Sequence, residues 1–244
     1  MRVLVTRPEP DALKLKGLLE ERGHEVVVEP LLAVSFADCD PIDLEGVTTL
    51  IATSRNGLQA LRHTGTLAQA RHLTVFAVGG ATAEEARRMG FRTVVKGPGI
   101  ASALIPILAS TLDPSEEVLL HLAGERLAAD VQGELEQQGF RISKATVYRM
   151  IAAESLTETT RDQLSDGEIE AVLLMSQDTA AVYVRLMARH RLLLPARIVT
   201  HLCLSSAIAA RLKPLGAVPI DIAEQPTLEE MLALVDLTAA KVDL

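Results

Sequence analysis

Small, hydroxyl-bearing and basic residues recur in this sequence wherever an apolar run gives way to a helical pattern. The sets are Thr6-Arg7-Pro8, Thr53-Ser54-Arg55-Asn56, Gly79-Gly80-Ala81-Thr82, Gly124-Glu125-Arg126 and Ser176-Gln177-Asp178, extended by Ser205-Ser206 and Pro226-Thr227. Anion binding is the chemistry such junctions can do. Helix starts present unpaired N–H groups, and a glycine lets a ligand come close to the backbone. Arg7, Arg55 and Arg126 could each grip a carboxylate through two hydrogen bonds. Taken singly, each small polar residue is also an ordinary helix cap worth about 1 kcal/mol, and each arginine an ordinary solvated side chain. Only their repetition favours binding.

Other chemistry is thin. Tyr148 closes the apolar-rich run ISKATVY and carries a phenol able to donate a proton, although a buried tyrosine with a satisfied hydroxyl is commoner. Tyr183 falls mid-helix in AAVYVRL and reads as packing. His121 lies within a strand, the other histidines are scattered, and none receives a role. No Ser-His-Asp or Cys-His set can be assembled. Gly79-Gly80 is not the Gly-x-Gly-x-x-Gly fingerprint, and no lysine follows as in a P-loop, which argues against NAD and ATP.

The elements that must hold these residues alternate between short β-branched runs and longer helical patterns, the signature of an α/β fold with parallel sheets. RVLVTRP, HEVVVEP, TTLIATS, LTVFAVGG and RTVVKGP read as strands. Helices are expected after the first of these, from Asn56, after Gly80 and over about 101–112. The series then repeats. EEVLLHLAGERLAADVQGELEQQGFRISKATVY answers the opening, pairing Gly139 with Gly23 as helix stops. AVLLMSQDTAAVYVRL answers TLIATSRNGLQALRH, pairing Ser176 with Ser54, and IVTHLCLSSAIAARLKPLGA answers LTVFAVGGATAEEARRMGF. Offsets of about 115 to 126 residues mean a domain duplication, not a solenoid. Two sequential doubly wound halves, or an exchange in which the opening unit completes the C-terminal half, both fit. VVVEPLLAVSF and ATVYRMIAAES are long for edge strands and could run as paired linkers.

Composition narrows the partners. The chain has 244 residues, 48% of them hydrophobic, and a formal net charge of −8 with no tryptophan. A nucleic-acid binder would show a basic stripe and stacking aromatics, so none is expected. No long apolar run suggests a membrane span, and the opening lacks signal-peptide architecture. Cys39 and Cys203 suggest neither a disulfide framework nor a zinc site, and fit a reducing cytoplasm. An anionic ligand would have to be attracted locally, against the average field.

VLVTRP, IATSRNGLQAL, AVGGATAEEARRMGF, TVY ending at Tyr148 and AEQPTLEEML, in that order and spacing, resemble the uroporphyrinogen-III synthase family over nearly the whole chain. The resemblance implies two similar doubly wound parallel-sheet lobes joined by a two-stranded extended linker: residues 1–36 plus 153–244, and residues 37–152. It implies a cyclising lyase that takes hydroxymethylbilane, an octacarboxylate bound between the lobes. Loss of water gives an azafulvene, the terminal ring attacks through its substituted carbon, and a spiro intermediate fragments and recloses inverted to uroporphyrinogen III. No cofactor and no metal are implied. A monomer is expected, with substrate delivered by the preceding deaminase. Much of the task is to hold one conformation and favour one closure. Carried over by position, Arg7, Thr53, Ser54, Asn56, Gly79, Thr82, Gly124, Arg126, Ser176, Ser205 and Thr227 bind substrate, and Tyr148 is the general acid.

The sequence departs from the family at LSSAIA, where Ser205 replaces a glycine and Ile208 a threonine. Ser205 is expected to cap its helix still, with closer backbone approach made harder. The alternative is a non-catalytic two-lobed module that binds or senses a small anion. A receiver-like phosphate protein would carry an acidic pair at its first strand end, which VLVTRP lacks.

Overall fold

In the computed structural model, which describes residues 1–242, the chain forms two compact units. One contains Met1–Ala33 and the described residues from Ile151 onward; the other is Val34–Met150. The chain runs β1 (Arg2–Val5), α1 (Asp11–Glu20), β2 (Glu25–Val28), β3 (Leu32–Ser35), β4 (Thr49–Ala52), α2 (Arg55–His63), α3 (Leu67–Ala70) and β5 (Thr74–Ala77). Next come α4 (Gly80–Arg88), β6 (Thr93–Lys96), α5 (Ala101–Thr111), β7 (Val118–Gly124), α6 (Val131–Glu136), β8 (Arg141–Ala152) and α7 (Glu158–Ser165). It ends with β9 (Ala171–Leu174), α8 (Gln177–Arg189), α9 (Leu193–Ala196), β10 (Thr200–Cys203), α10 (Ser206–Ala209), a 3-10 turn, β11 (Ile220–Ile222) and α11 (Leu228–Val242).

The sheets are ordered β11-β10-β9-β1-β2 and β3-β8-β7-β4-β5-β6. The five-stranded sheet is parallel throughout, and in the six-stranded sheet β8, β7, β4, β5 and β6 pair in parallel. The expectation of an α/β fold with parallel sheets is met. The central strands β1, β4 and β9 are covered on both faces, which is why they are nearly continuously apolar rather than alternating. In β4, Leu50 and Ala52 enter one core while Ile51 enters the opposite one with Phe76. In β1, Leu4 packs on one side and Val3 and Val5 on the other. Among the described residues no helix is long and apolar enough to cross a membrane.

The duplication is visible in backbone angles. Ser54 and Ser176 precede their helices at φ −150, ψ 152 and φ −148, ψ 153. Each accepts a backbone N–H, from Asn56 at 3.2 Å and from Thr179 at 3.1 Å. Gly23 and Gly139 both follow their helices with positive φ, 83° and 88°, where a side chain would be strained.

Tyr148 lies inside β8, which continues to Ala152 and takes in most of the long run ATVYRMIAAES. Two local expectations are corrected. Gly124 is not followed at once by a helix: α6 starts at Val131, capped by Asp130. Ser205 occupies the N-cap position but makes no side-chain cap bond, and its four-residue helix gives way to the 3-10 turn Ala210–Leu215. Gly79 has an extended φ of −160, which any residue adopts; its missing Cβ matters because one would lie 3.1 Å from Gly99 Cα. At Ser205 the same extended backbone, φ −160, carries a side chain.

Buried polar groups are paired where they hold unit 1–33/151 onward together. Glu29 accepts from Thr157 N–H at 3.1 Å and from the Thr157 and Thr160 hydroxyls, each at 2.5 Å. His201 Nδ1 donates to Pro219 O at 3.1 Å, so its Nε2 accepts the Tyr183 hydroxyl at 3.2 Å. Burial lowers the pKa of His201 to about 4, from an ordinary value of 6.5. The unfolded chain therefore binds a proton that the folded chain refuses, and stability falls as pH drops from 6.5 towards 4. The expected loss by pH 5.5 is roughly 1 kcal/mol from this residue. Urea titrations of wild type and His201→Gln at pH 7.5 and 5.5 check it, since the variant should lose that part of the pH dependence.

Candidate active site

The carboxyl ends of β4, β5 and β7, with β8 beside them, surround a cavity of about 320 Å³ within unit 34–150. Thr53, Val78, Gly99, His121, Arg126 and Tyr148 are among its lining residues. The fold brings together three residues predicted from the sequence, Thr53, Arg126 and Tyr148. Thr53 follows β4, Arg126 follows β7, and Tyr148 comes from β8. Glu125, next to Arg126, turns its carboxylate to Arg149 at 3.5 Å.

Tyr148 is placed by an irregularity in the sheet. Register runs one to one from Val118↔Arg141 to Ala123↔Thr146 and then shifts, so that Gly124 faces Tyr148 and Val147 is the extra residue. Such a bulge re-aims the side chain beyond it. The phenol then lies directly over Gly124: a Cβ there would be 2.6 Å from Tyr148 Cζ and 2.7 Å from its oxygen. Gly124 is therefore the seat of the phenol rather than a helix start open to ligand.

The remaining predicted residues of this unit stand nearby without lining the cavity. Ser54 is the cap of α2 and accepts the backbone N–H of Asn56. Gly79 packs against Gly99, and Thr82 is buried inside α4. In the other unit Arg7 pairs with Asp11 at 2.8 Å and reaches Met175 Sδ at 3.5 Å. Ser176 and Thr227 cap their helices, the latter accepting Glu230 N–H at 3.2 Å. Ser205 stands at its helix start without a side-chain cap bond. Ile208, at the departure from the family pattern, is core.

His121 is the residue that sequence reading passed over. Its Nε2 lies 3.2 Å from Thr53 Oγ1, and burial, with a smaller push from Lys144, lowers its pKa to about 4. The available signal was a lone polar residue in the apolar run VLLHLAG, three positions before the glycine that ends the strand. A larger cavity of about 430 Å³ lies at the opposite, amino-terminal edge of the other unit's sheet, against Ile169, Leu194 and Ile198. It is apolar, and its one carboxylate, Glu170, accepts the Arg2 N–H at 2.5 Å. It offers no acid–base pair.

Comparison with known proteins agrees with the fold and the family. The chain is similar to the uroporphyrinogen-III synthetase structure from Helicobacter pylori 26695, at 18% identity and TM-score 0.65, covering 97% of this chain and 99% of that one. It is also similar to a mutant uroporphyrinogen III synthase from the extremely thermophilic bacterium Thermus thermophilus, at 18% identity and TM-score 0.55, with 99% of each chain covered. A search of curated proteins by sequence finds no match. The profile described as HEM4, uroporphyrinogen-III synthase HemD, matches residues 14–233. On that match across most of its length, the chain belongs to the uroporphyrinogen-III synthase family.

Proposed function

We propose that the cavity of unit 34–150 holds part of the substrate of this cyclising lyase, with Tyr148 as the general acid. The family closes hydroxymethylbilane to uroporphyrinogen III in haem biosynthesis. The observation that carries the site assignment is the convergence of a phenol, a hydroxyl and a guanidinium from three separate strand ends on one cavity. Tyr148 gives its proton to the departing hydroxyl, which leaves as water. The pyrrole N–H gives up the proton that restores the phenol, so the step is neutral overall. Arg126, Thr53 and the helix start at Ser54 and Asn56 meet carboxylates. The same reading assigns carboxylate contacts to Arg7, Ser176, Ser205 and Thr227. Because the free substrate closes by itself without inversion, orientation matters more than activation. Direct delivery by the deaminase, a monomeric state and a cytoplasmic location belong to the same reading.

The test generates hydroxymethylbilane in place with a deaminase and separates the oxidised products into type I and type III isomers. Type III product should depend on this protein. Tyr148→Phe should slow its formation about tenfold, less than a general acid often contributes, because the substrate ionises without help. A Phe variant as fast as wild type removes Tyr148 as donor. Type I alone, from folded protein, would leave the non-catalytic anion-binding module.

A further inference from the structure

His121 is the polar exception in the buried strand β7. It lines the same cavity as Thr53, Arg126 and Tyr148, and it lies opposite Ile51, two residues before Thr53 along β4. Its Nε2 is 3.2 Å from Thr53 Oγ1, and its Nδ1 is buried without a hydrogen-bond partner. A neutral imidazole has one donor nitrogen and one acceptor. A buried N–H left unpaired is rarer in proteins than an under-used acceptor. The proton therefore sits on Nε2, which donates to Thr53 Oγ1, and Nδ1 is the bare acceptor. With its oxygen already accepting, the Thr53 hydroxyl keeps its own proton for another partner.

We propose that His121 is a positioning residue: its Nε2–H fixes the Thr53 hydroxyl as a hydrogen-bond donor towards the cavity, where it meets a carboxylate of the substrate. The proposal rests on reading this cavity as a substrate site. The surrounding groups suit it. Lys144, paired in register with His121 on β8, opposes protonation of the ring, as does burial. Arg126 supplies the positive charge on the same cavity. A neutral ring that only donates leaves the hydroxyl to present a short, directional contact beside that charge. Were the ring instead the acceptor, Thr53 would spend its proton inward and offer a carboxylate only lone pairs.

Two measurements decide it. The first is nitrogen-15 NMR of the histidine rings near neutral pH, with the His121 signals assigned by their loss in His121→Gln. The Nε2–H tautomer is expected; the Nδ1–H tautomer overturns the proposal whatever the activity. The second is a double-mutant cycle with His121→Phe and Thr53→Val in the isomer assay, with thermal melts as the folding control. Each single change should raise KM for hydroxymethylbilane about tenfold, the loss of one hydrogen bond to a charged group, with kcat within about twofold. The double variant should be no worse than Thr53→Val alone. His121→Gln keeps an N–H donor and should stay within about threefold of wild type. It also serves if the Phe variant fails to fold. Additive losses, or a fall in kcat alone, would reduce His121 to packing. A wild-type protein that makes no type III product overturns the synthase reading, and the tautomer still decides this one because it is read without turnover.

Discussion

Gly124→Ala should cut the rate of type III formation about a hundredfold while the protein remains folded. The added methyl would sit 2.6 Å from Tyr148 Cζ and 2.7 Å from its oxygen, closer than real Cβ atoms come. The atoms it strikes belong to the far end of a side chain, so the phenol can swing away instead of the backbone yielding. That relief empties the donor position and pushes a ring into a cavity of only about 320 Å³. The loss therefore exceeds that of Tyr148→Phe, which keeps the ring in place. Stability should change by less than about 1 kcal/mol. In a Tyr148→Phe background the alanine should still cost activity, through the displaced ring. The check is the isomer assay on all three variants beside their thermal melts. A fully active alanine variant would mean the phenol's place does not matter.

The largest expected effect on stability is that of Gly57→Ala. Here the methyl meets backbone, Leu122 O at 2.6 Å and Leu122 C at 3.4 Å, in the middle of β7. The carbonyl belongs to a sheet and cannot move aside, so α2 must lift from it and loosen the buried Leu58 and Leu61. Overpacking of this kind costs about 3 kcal/mol or more, against at most about 1 kcal/mol gained in helix propensity. A net loss of about 2 to 3 kcal/mol lowers the melting temperature by roughly 6 to 9 °C in a chain of this size. Gly17→Ala in α1 is the matched comparison, since its Cβ meets nothing within 4 Å. That change should stabilise by a few tenths of a kcal/mol to about 1 kcal/mol. Scanning calorimetry on both variants should give shifts of opposite sign; equal shifts would remove the steric explanation.

What the sequence disclosed, and what it hid, follows from how far each feature depends on distant residues. LIA in β4, VFA in β5 and AVLL in β9 are unbroken apolar runs because both faces of a parallel strand are covered, a property carried in three or four adjacent residues. Ser54 and Ser176 announce helix starts because a cap acts within three residues. The bulge that brings Tyr148 over Gly124 depends on the register between two strands, and nothing local in ISKATVY encodes it. The strand's continuation to Ala152, by contrast, shows in the length of the run ATVYRMIAAES. His121 looked like a stray polar residue because its partner, Thr53, is 68 positions away. Gly79 looked like room for a ligand, whereas the space it leaves is taken by Gly99. The short helices Leu67–Ala70 and Leu193–Ala196 carry too few residues to show a period.

The placement of β1 has a bearing on synthesis. It is an interior strand, between β2 and β9, and Val3, Leu4 and Val5 are fully buried in the complete sheet. β2 follows within about twenty residues, but β9 begins at Ala171, and Val34–Met150 are translated in the interval. At about 5–20 residues per second, the ribosome keeps one edge of β1 unpaired for roughly ten to thirty seconds. During that time Val34–Met150 emerges as a continuous segment able to build its own sheet, apart from the end of β8. The nascent chain thus carries a largely built body and an open strand edge together, and that edge is the part most prone to wrong pairing until β9 arrives.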